Sequence, residues 1–385
     1  MRVRRCAVLF LEPREEATFD LDSLFAGGAG IRRASRWVAH APHLPAEVEV
    51  DADARELLGM LSPQKWSDRG EVADSLQDAL DVLMRTGLVL KEDVSTSNDK
   101  RDALVRSTHW WPLGAVFHSC GRWSGVDGVQ AMEDADLLTA SGLSARFGPP
   151  PLHVRESVAP PLQQRLTRDS PTAFDDLLSR RATCRNFDQS RVLPESLLAK
   201  MLMRVFGAQA EMRAGNEAVF LKKTSPSGGG LHATEAYLIV QNVEGVAPGL
   251  YHYHPVDHGL DPLPGPDVPL ADFAKLALAG QHWFANAPVL VVLAPRFARS
   301  FWKYRHHAKA YRALILDSGH LSQTLYLSAT DLGLGAFVTS AINEVDIEQA
   351  FGMDPLEESP LAICGFGWRA ERMETAEFDP AGEVW

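Results

Sequence analysis

Three short stretches of this 385-residue chain carry side chains whose types and spacing could do chemistry. In RATCRNF, residues 181–187, Arg181, Thr183 and Arg185 alternate just past the amphipathic run TAFDDLLSR. Alternation along an extended backbone puts the three on one side. Two guanidinium forks and a hydroxyl converging there would hold a phosphate monoester. The plainer alternative is a solvated turn with ordinary surface arginines. In SPSGGGLHATEAYLIV, Pro226 and Ser227 precede Gly228, Gly229 and Gly230, ahead of a helical turn and a buried strand. Glycines let a backbone come within hydrogen-bonding distance of a flat ligand, where any Cβ would clash. The run lacks the Gly-Lys-Ser/Thr of a P-loop and is not a strand-preceded GxGxxG, so by itself it also reads as a flexible loop. The third stretch is Lys303-Tyr304 beside the basic run RHHAK, which alone reads as surface.

These residues need a frame to position them. GPPPLHVRESVAPPLQQRLTRDSPT, residues 148–172, contains Pro149, Pro150, Pro151, Pro160 and Pro161. Prolines donate no backbone hydrogen bond and favour an extended linker. A domain boundary is therefore expected near residue 165, with residues 1–165 as an N-terminal domain and 166–385 as a second. In the second, PESLLAKMLMRVFG sets Leu198, Met201, Leu202 and Val205 on one helical stripe between Pro194 and Gly207. AYLIV (236–240), VLVVL (289–293) and LAICGF (361–366) have the length and β-branching of buried strands. YRALILDSGHLSQTLYLSATDLG reads as a long helix, apolar on more than one face, that is buried or lies in an interface. Gly319 within it suggests close approach by another backbone.

In the N-terminal domain, DADARELLGML aligns Leu57, Leu58 and Leu61 on one helical face. EVADSLQDALDVLMRTG aligns Val72, Leu76, Leu80 and Leu83 as far as Gly87, and LVLKED reads as a strand. Helix, helix, strand over residues 51–93 is the pattern of a winged helix. Residues 1–50 read as irregular β-structure packed against it.

With 45% hydrophobic and 23% charged residues the chain can bury a sizeable core. Its net charge of −12 argues against nucleic acid as a partner, because neutralising phosphates needs a basic surface. The winged-helix pattern is thus read as structural packing or peptide docking. CAVLFL after MRVRR is too short for a signal-peptide core or a membrane span. Cys6, Cys120, Cys184 and Cys364 form no CxxC pair, so neither zinc nor a disulfide framework is expected, and a cytoplasmic location fits. His252, His254 and His258 in YHYHPVDH read as a strand rather than a metal set, and the adjacent His306 and His307 would diverge on a helix. Trp110, Trp111 and Trp123 read as core or interface of the N-terminal domain, or as a peptide groove.

Together, and in this order, the stretches resemble the nitroreductase-like flavoprotein superfamily. Within it they look like the SagB-type branch, the peptide-maturation dehydrogenases that oxidise azolines to azoles. The matching residues are RATCRNF against the family's Arg-x-Ser-x-Arg-x-Phe, then SPSGGGLH, VEGVAPGLYHYHPVDHGL, KYRHHAKAYRALILDSGHLSQTLYLSATDLGLG and ICGFG. The likeness spans residues 172–370 and leaves out the N-terminal domain. It implies an α+β nitroreductase-like fold, a central mixed sheet flanked by helices, that binds FMN at a homodimer interface. Carried over by position, Arg181, Thr183 and Arg185 would hold the FMN phosphate and ribityl chain, Thr183 keeping the hydroxyl of the family's serine. Pro226, Ser227, Gly228, Gly229 and Gly230 would line the isoalloxazine ring. The asparagine that many nitroreductases carry near here is missing, which leaves the pyrimidine-edge contacts unassigned. Val338 and Thr339, in AFVTS after Gly333 and Gly335, would offer backbone groups near flavin N5, and Arg369 would add a phosphate contact.

Lys303-Tyr304 matches the Lys-Tyr pair that SagB-type dehydrogenases use catalytically. Aromatising an azoline removes a Cα proton and delivers a hydride from the adjacent ring carbon to flavin N5. A tyrosine of pKa about 10 is a poor base at neutral pH. A neighbouring ammonium would favour the phenolate, or burial would deprotonate the lysine itself. The resemblance therefore implies FMN-dependent dehydrogenation of a ribosomally made precursor peptide by a homodimer, alongside partner modification enzymes. Two rivals remain: an NAD(P)H-dependent nitro- or quinone reductase, and a flavin-free scaffold that recruits a leader peptide. The large N-terminal domain and the Lys-Tyr pair weigh against the first, the arginines and the glycine loop against the second.

Overall fold

The computed structural model describes all residues except 94, 156–163, 165, 168, 216–217 and 381. The boundary expected near residue 165 lies outside the described residues, as do Pro160 and Pro161 of the linker. Contacts divide the chain into two units. The first comprises Met1–Arg122, Arg296–Leu314 and Asp354–Ser359; the second comprises Trp123–Pro295, Ile315–Met353 and Pro360–Trp385. No helix among the described residues is long and apolar enough to cross a membrane.

The first unit contains the expected helix, helix, strand module. Strand Arg2–Arg5 pairs antiparallel with Ser67–Asp68 on one side and Val89–Lys91 on the other. Helices Ala52–Met60 and Gln77–Thr86 bury Leu57, Leu58, Leu80 and Leu83 with Val3 and Val89. Asp51 caps the first helix through the Ala54 amide at 2.8 Å, and the second ends at Gly87 in the left-handed region. The second helix starts later than its apolar spacing suggests. Gln77 Nε2 donates to the Val72 carbonyl at 2.9 Å, and Val72 is extended between two single 3₁₀ turns. Residues 1–50 are more regular than expected. Phe10–Phe19 and Ile31–His40 pair over ten consecutive positions, with Val48–Val50 added alongside. Few apolar residues alternate there; cross-strand ion pairs stand in for them, Glu15 with Arg33 and Glu16 with Arg36.

A second cluster in this unit forms around Trp110, which is 2% exposed. Its ring lies 4.5–5.9 Å from those of Phe297, Phe301, His118 and Tyr311, and its Nε1 donates to the Leu356 carbonyl at 3.0 Å. Trp110 is therefore core, as one of the sequence readings had it, and it holds the returning segments 296–314 and 354–359 to the unit. Trp123 is exposed and is counted in the second unit.

The second unit is built on a six-stranded sheet. Its spatial order is Gly259–Leu263, Gly249–His254, Thr234–Val240, Val289–Pro295, Ala362–Gly367 and Gly335–Thr339. All five ladders are antiparallel, so among the described residues the mixed character expected of the sheet is confined to isolated parallel bridges, Thr183 with Ala336 at the edge and Leu193 with Val243. Side chains alternate between the two faces. Leu238, Val240, Val291 and Leu293 pack against Leu198, Met201, Leu202 and Val205 of helix Glu195–Val205 and against Leu321 and Leu325 of helix Ala310–Asp331. Ile239, Leu290 and Val292 face Phe273, Phe284 and Ile347 from helices on the other side. His252, His254 and His258 take separate partners, Glu235, Asp257 and the Tyr253 hydroxyl.

Within the first unit, His118 ties stability to pH. Its Nε2 lies 2.8 Å from the Pro355 carbonyl, which only accepts, so Nε2 carries the proton and Nδ1 accepts from the Tyr311 hydroxyl at 3.0 Å. Burial first, and then the Arg122 charge, push the ring down to about 3. The unfolded ring takes up a proton below about 6.5, whereas the folded ring resists until far lower pH. Its contribution is therefore complete above that unfolded value and is lost as pH falls towards the folded one. Stability measured by urea unfolding should decline from pH 6.5 to about 4, and His118→Gln should flatten that decline.

Candidate active site

Residues 181–187 run extended along the outer edge of the sheet. Thr183 bridges Ala336, the Cys184 amide donates to the Ala336 carbonyl at 2.8 Å, and Phe187 bridges Arg369. Ala182, Cys184 and Phe187 turn into the core, while Arg181, Thr183 and Arg185 are half-buried on the other side. This is the alternation that the spacing predicts. Arg181 Cζ lies 5.3 Å from the centre of the Tyr326 ring and Arg185 Cζ 5.9 Å from that of Phe284. Among the described residues neither guanidinium forms an ion pair. Burial pushes the Cys184 thiol up to about 12, so it packs as an apolar group rather than acting as a nucleophile. Gly335 makes room for it: a Cβ there would lie 2.5 Å from Cys184 Sγ and 2.7 Å from its Cβ.

Helix Ala310–Asp331 ties this segment to the glycine loop. The Tyr326 hydroxyl lies 3.0 Å from Thr183 Oγ1 and accepts the Val338 amide at 3.2 Å. Two expected site residues thus meet on one hydroxyl that sequence reasoning did not single out. Nine residues earlier, half a turn round the helix, the buried Asp317 carboxylate accepts from Ser227 Oγ at 2.6 Å and from the Gly228 amide at 2.9 Å. Thr324, on the same face as Asp317, meets Ser225 Oγ at 2.6 Å. A carboxylate inside an apolar helical pattern was the available signal for Asp317. Gly228–Gly230 form a tight turn in which Gly229 and Gly230 have φ of 67° and 69°, a region closed to most side chains. A Cβ added at Gly230 meets nothing within 4 Å, so the loop is open on that side.

Other expected residues sit differently. Arg369 pairs with the buried Glu377 and donates to the Ala182 carbonyl at 3.0 Å. Burial alone would raise the Glu377 carboxyl; hydrogen bonds from the Arg185 amide, Trp385 and Asn186, with the Arg369 charge, outweigh it and hold it below the ordinary range. Thr339 Oγ1 reaches Gln281 Oε1 at 3.2 Å, and Pro226 borders the glycine turn. Lys303 and Tyr304 belong to the first unit. They lie in the turn after helix Phe297–Phe301, off any regular element, and Lys303 Nζ is 5.6 Å from the centre of the Tyr304 ring. The bend lets sequence neighbours face one another. His306 and His307 also diverge, although on a turn rather than a helix: the first meets the Trp110 carbonyl, the second the Lys309 amide.

The Tyr326 hydroxyl can be tested directly. Tyr326→Phe leaves the Val338 amide and Thr183 without this partner and should cost about 1–3 kcal/mol, read by denaturant unfolding. A variant as stable as the parent would show that neither hydrogen bond orders the segment.

Part of the chain is similar to known proteins. A nitroreductase family profile matches residues 178–368. The MJ1384 protein of Methanocaldococcus jannaschii, named as a nitroreductase, is 28% identical over 198 residues, which cover 51% of this chain and 92% of its own. The trifolitoxin-processing protein TfxB of Rhizobium leguminosarum bv. trifolii is 31% identical over 147 residues, 37% of this chain and 38% of the relative. The microcin B17-processing protein McbC of Escherichia coli is 23% identical over 186 residues, 47% of this chain and 65% of the relative. A chain of the E. coli microcin synthetase McbBCD complex with truncated pro-MccB17 bound aligns with a TM-score of 0.48 at 19% identity, over 73% of this chain and all of that one. The six-stranded sheet with helices on both faces is the nitroreductase-like fold, and residues 178–368 form a nitroreductase family domain.

Proposed function

We propose that this protein is an FMN-dependent dehydrogenase that oxidises a ribosomally made peptide, converting azoline rings to azoles. One observation carries the cofactor assignment. Arg181, Thr183 and Arg185 share one side of an extended segment, and the two guanidinium groups, which have no carboxylate partner among the described residues, are the charges a phosphate monoester would take up. The open glycine turn, pinned by Asp317, fits a flat ring beside its backbone. A phosphate contact from Arg369 would compete with Glu377. The names of TfxB and McbC, both processing proteins of peptide toxins, support a peptide substrate.

Bound FMN supplies a two-electron acceptor. The chain's own groups then have separate tasks. Arg181 and Arg185 anchor the phosphate by charge-assisted forks, Thr183 adds a hydroxyl, and Tyr326 keeps Thr183 and Val338 in register. Pro226, Ser227 and the three glycines border the ring, with Val338 and Thr339 offering backbone groups. Lys303-Tyr304 takes the substrate Cα proton. The Lys303 amine lies 5.6 Å from the centre of the Tyr304 ring, so the two can serve one proton. A second copy of the chain would cover Ile315 and Leu316, which are 47% and 57% exposed. It would also supply the backbone that the sequence led us to expect against Gly319, where an added Cβ meets nothing within 4 Å. Partner modification enzymes and a cytoplasmic setting belong to the same reading. The likeness to MJ1384, named as a nitroreductase, keeps an NAD(P)H-dependent nitro- or quinone reductase as the second reading.

Replacing both Arg181 and Arg185 with alanine should strip the flavin absorbance from purified protein; full occupancy in that variant sinks the cofactor assignment. A wild-type protein with no flavin would leave only a peptide-recruiting scaffold. Lys303→Ala and Tyr304→Phe should keep the flavin yet lose turnover on a precursor peptide by 10²- to 10⁴-fold, the usual worth of a general base. Turnover is read as the loss of two hydrogens per ring in the peptide's mass. Near-normal turnover in both variants removes the pair from the mechanism. Light scattering at micromolar concentration should give a dimer, and a flavin-loaded monomer would contradict the role given to Ile315 and Leu316.

A further inference from the structure

The first unit contains a second cluster of reactive groups, all from residues before position 123. A cavity of about 250 Å³ is lined by Arg14, His40, Glu47, Cys120 and Arg122 with four apolar residues and Ser119. In it Cys120 Sγ lies 3.5 Å from His40 Nδ1, and His40 Nε2 lies 2.8 Å from Glu12 Oε2. The paired strands Phe10–Phe19 and Ile31–His40 bring the last two together. Phe10 sits opposite His40 and Glu12 opposite Val38, so Glu12 and His40 are diagonal neighbours across the ladder. Cys120 is the last residue of helix Pro112–Cys120 and is exposed, whereas Cys6, Cys184 and Cys364 are buried.

The hydrogen-bond roles follow from charge. Arg14 binds Glu12 at 2.9 Å and Glu47 at 2.6 and 2.7 Å, so both carboxylates are fixed. The Arg14 hydrogen bond first, and then that of His40, hold Glu12 below the ordinary carboxylate range, so it is ionised and only accepts. His40 therefore carries its proton on Nε2, and the lone pair of Nδ1 faces the thiol. A nucleophile, a base aimed at it and a third group fixing the base is the logic of a catalytic triad, recognised by geometry rather than chain order. Burial, then the charges of Glu12 and Glu47, push the Cys120 thiol up, and the C-terminal end of its helix acts in the same sense. No thiolate is ready-made, so the thiol needs the base that stands beside it.

We propose that Cys120 and His40, positioned by Glu12, form an acyl-transfer site for small activated esters or thioesters. Cys120 sulfur bonds to the acyl carbon while its proton passes to His40 Nδ1. The bond from that carbon to the leaving oxygen or sulfur breaks, and His40 returns the proton to the leaving group. Water then attacks the acyl-cysteine, a carboxylic acid departs and the thiol is restored, with no change of oxidation state. The size of the cavity limits the acyl group to a few carbons. Cys120 and His40 touch the reacting atoms; Glu12 is a positioning residue.

The test uses the full chain and p-nitrophenyl acetate, and needs no flavin. A burst of p-nitrophenolate should accompany a single acetyl adduct on Cys120 by intact and peptide mass. Cys120→Ser and Cys120→Ala should abolish that adduct, and His40→Gln should slow acylation at neutral pH about 100-fold, as loss of a general base does. The charged groups around His40 are Glu12 and Arg14 on one strand, Glu47 before the next and Arg122 beyond the helix, with the Cys120 thiol opposite. Glu12→Gln removes the carboxylate that fixes the Nε2 proton, so the acylation rate constant at saturating ester should fall while KM holds, and Glu12→Asp should restore part of it; a purely structural Glu12 gives neither that split nor the rescue. Acylation of the parent no faster than of His40→Gln overturns the proposal. So does an adduct that survives Cys120→Ala. Should His40→Gln not fold, acylation of the parent that follows thiolate formation alone across the pH range overturns it as well.

Discussion

The candidate active site depends on how the sheet closes its outer edge. Strand Gly335–Thr339 has a neighbour on one side only, and an open edge leaves backbone groups unpaired. Residues 183 and 184 cover part of it with a parallel bridge and one amide hydrogen bond. Once that contact is made, strand geometry decides the rest. Alternate residues must turn into the core, and Ala182 and Cys184 are suited to that. The residues that flank them, 181, 183 and 185, must turn out, and two of those are arginines. The concentration of positive charge in an acidic protein is thus a consequence of backbone pairing as much as of the side chains themselves.

The helix Ala310–Asp331 serves two masters with chemically different handles. Its apolar residues complete one face of the sheet, and two of its polar ones reach in different directions, Asp317 to the glycine turn and Tyr326 to the edge. A buried carboxylate that accepts from a hydroxyl and a backbone amide orders a loop that glycine would otherwise leave with many conformations. Loop and edge are therefore referred to the same rigid element, which suits a ligand that must be held at both ends.

Much of this was legible in the sequence where the physics is local. Apolar β-branched runs marked three central strands because both faces of them are covered, and the 181–185 alternation held because an extended segment has a period of two. Helix stripes at 57–61 and 198–205 were correct for the same reason. What escaped was non-local. Tyr326 meets Thr183 across 143 positions, Asp317 meets Ser227 across 90, and Cys120 meets His40 across 80. No spacing rule reports such distances. The long strand pair at 10–40 escaped differently: its cross-strand side-chain contacts include ion pairs rather than apolar ones, so the expected apolar alternation is missing. The glycine turn carried a signal for its backbone but none for the aspartate that holds it.

The contact between Gly335 and Cys184 constrains how this sequence can vary. Position 335 has room for a hydrogen only while position 184 carries a Cβ, because the two would-be Cβ atoms stand 2.7 Å apart. Shortening Cys184 to alanine does not relieve this; a second glycine or a wider separation of the edge is needed, and Arg369 Cγ, 3.0 Å from the added atom, must give as well. The constraint therefore runs one way. A lineage that gained a side chain at 335 would have to surrender the one at 184 or shift the whole arginine-bearing segment, whereas Cys184 could shorten to alanine with no clash at this contact while 335 stays glycine.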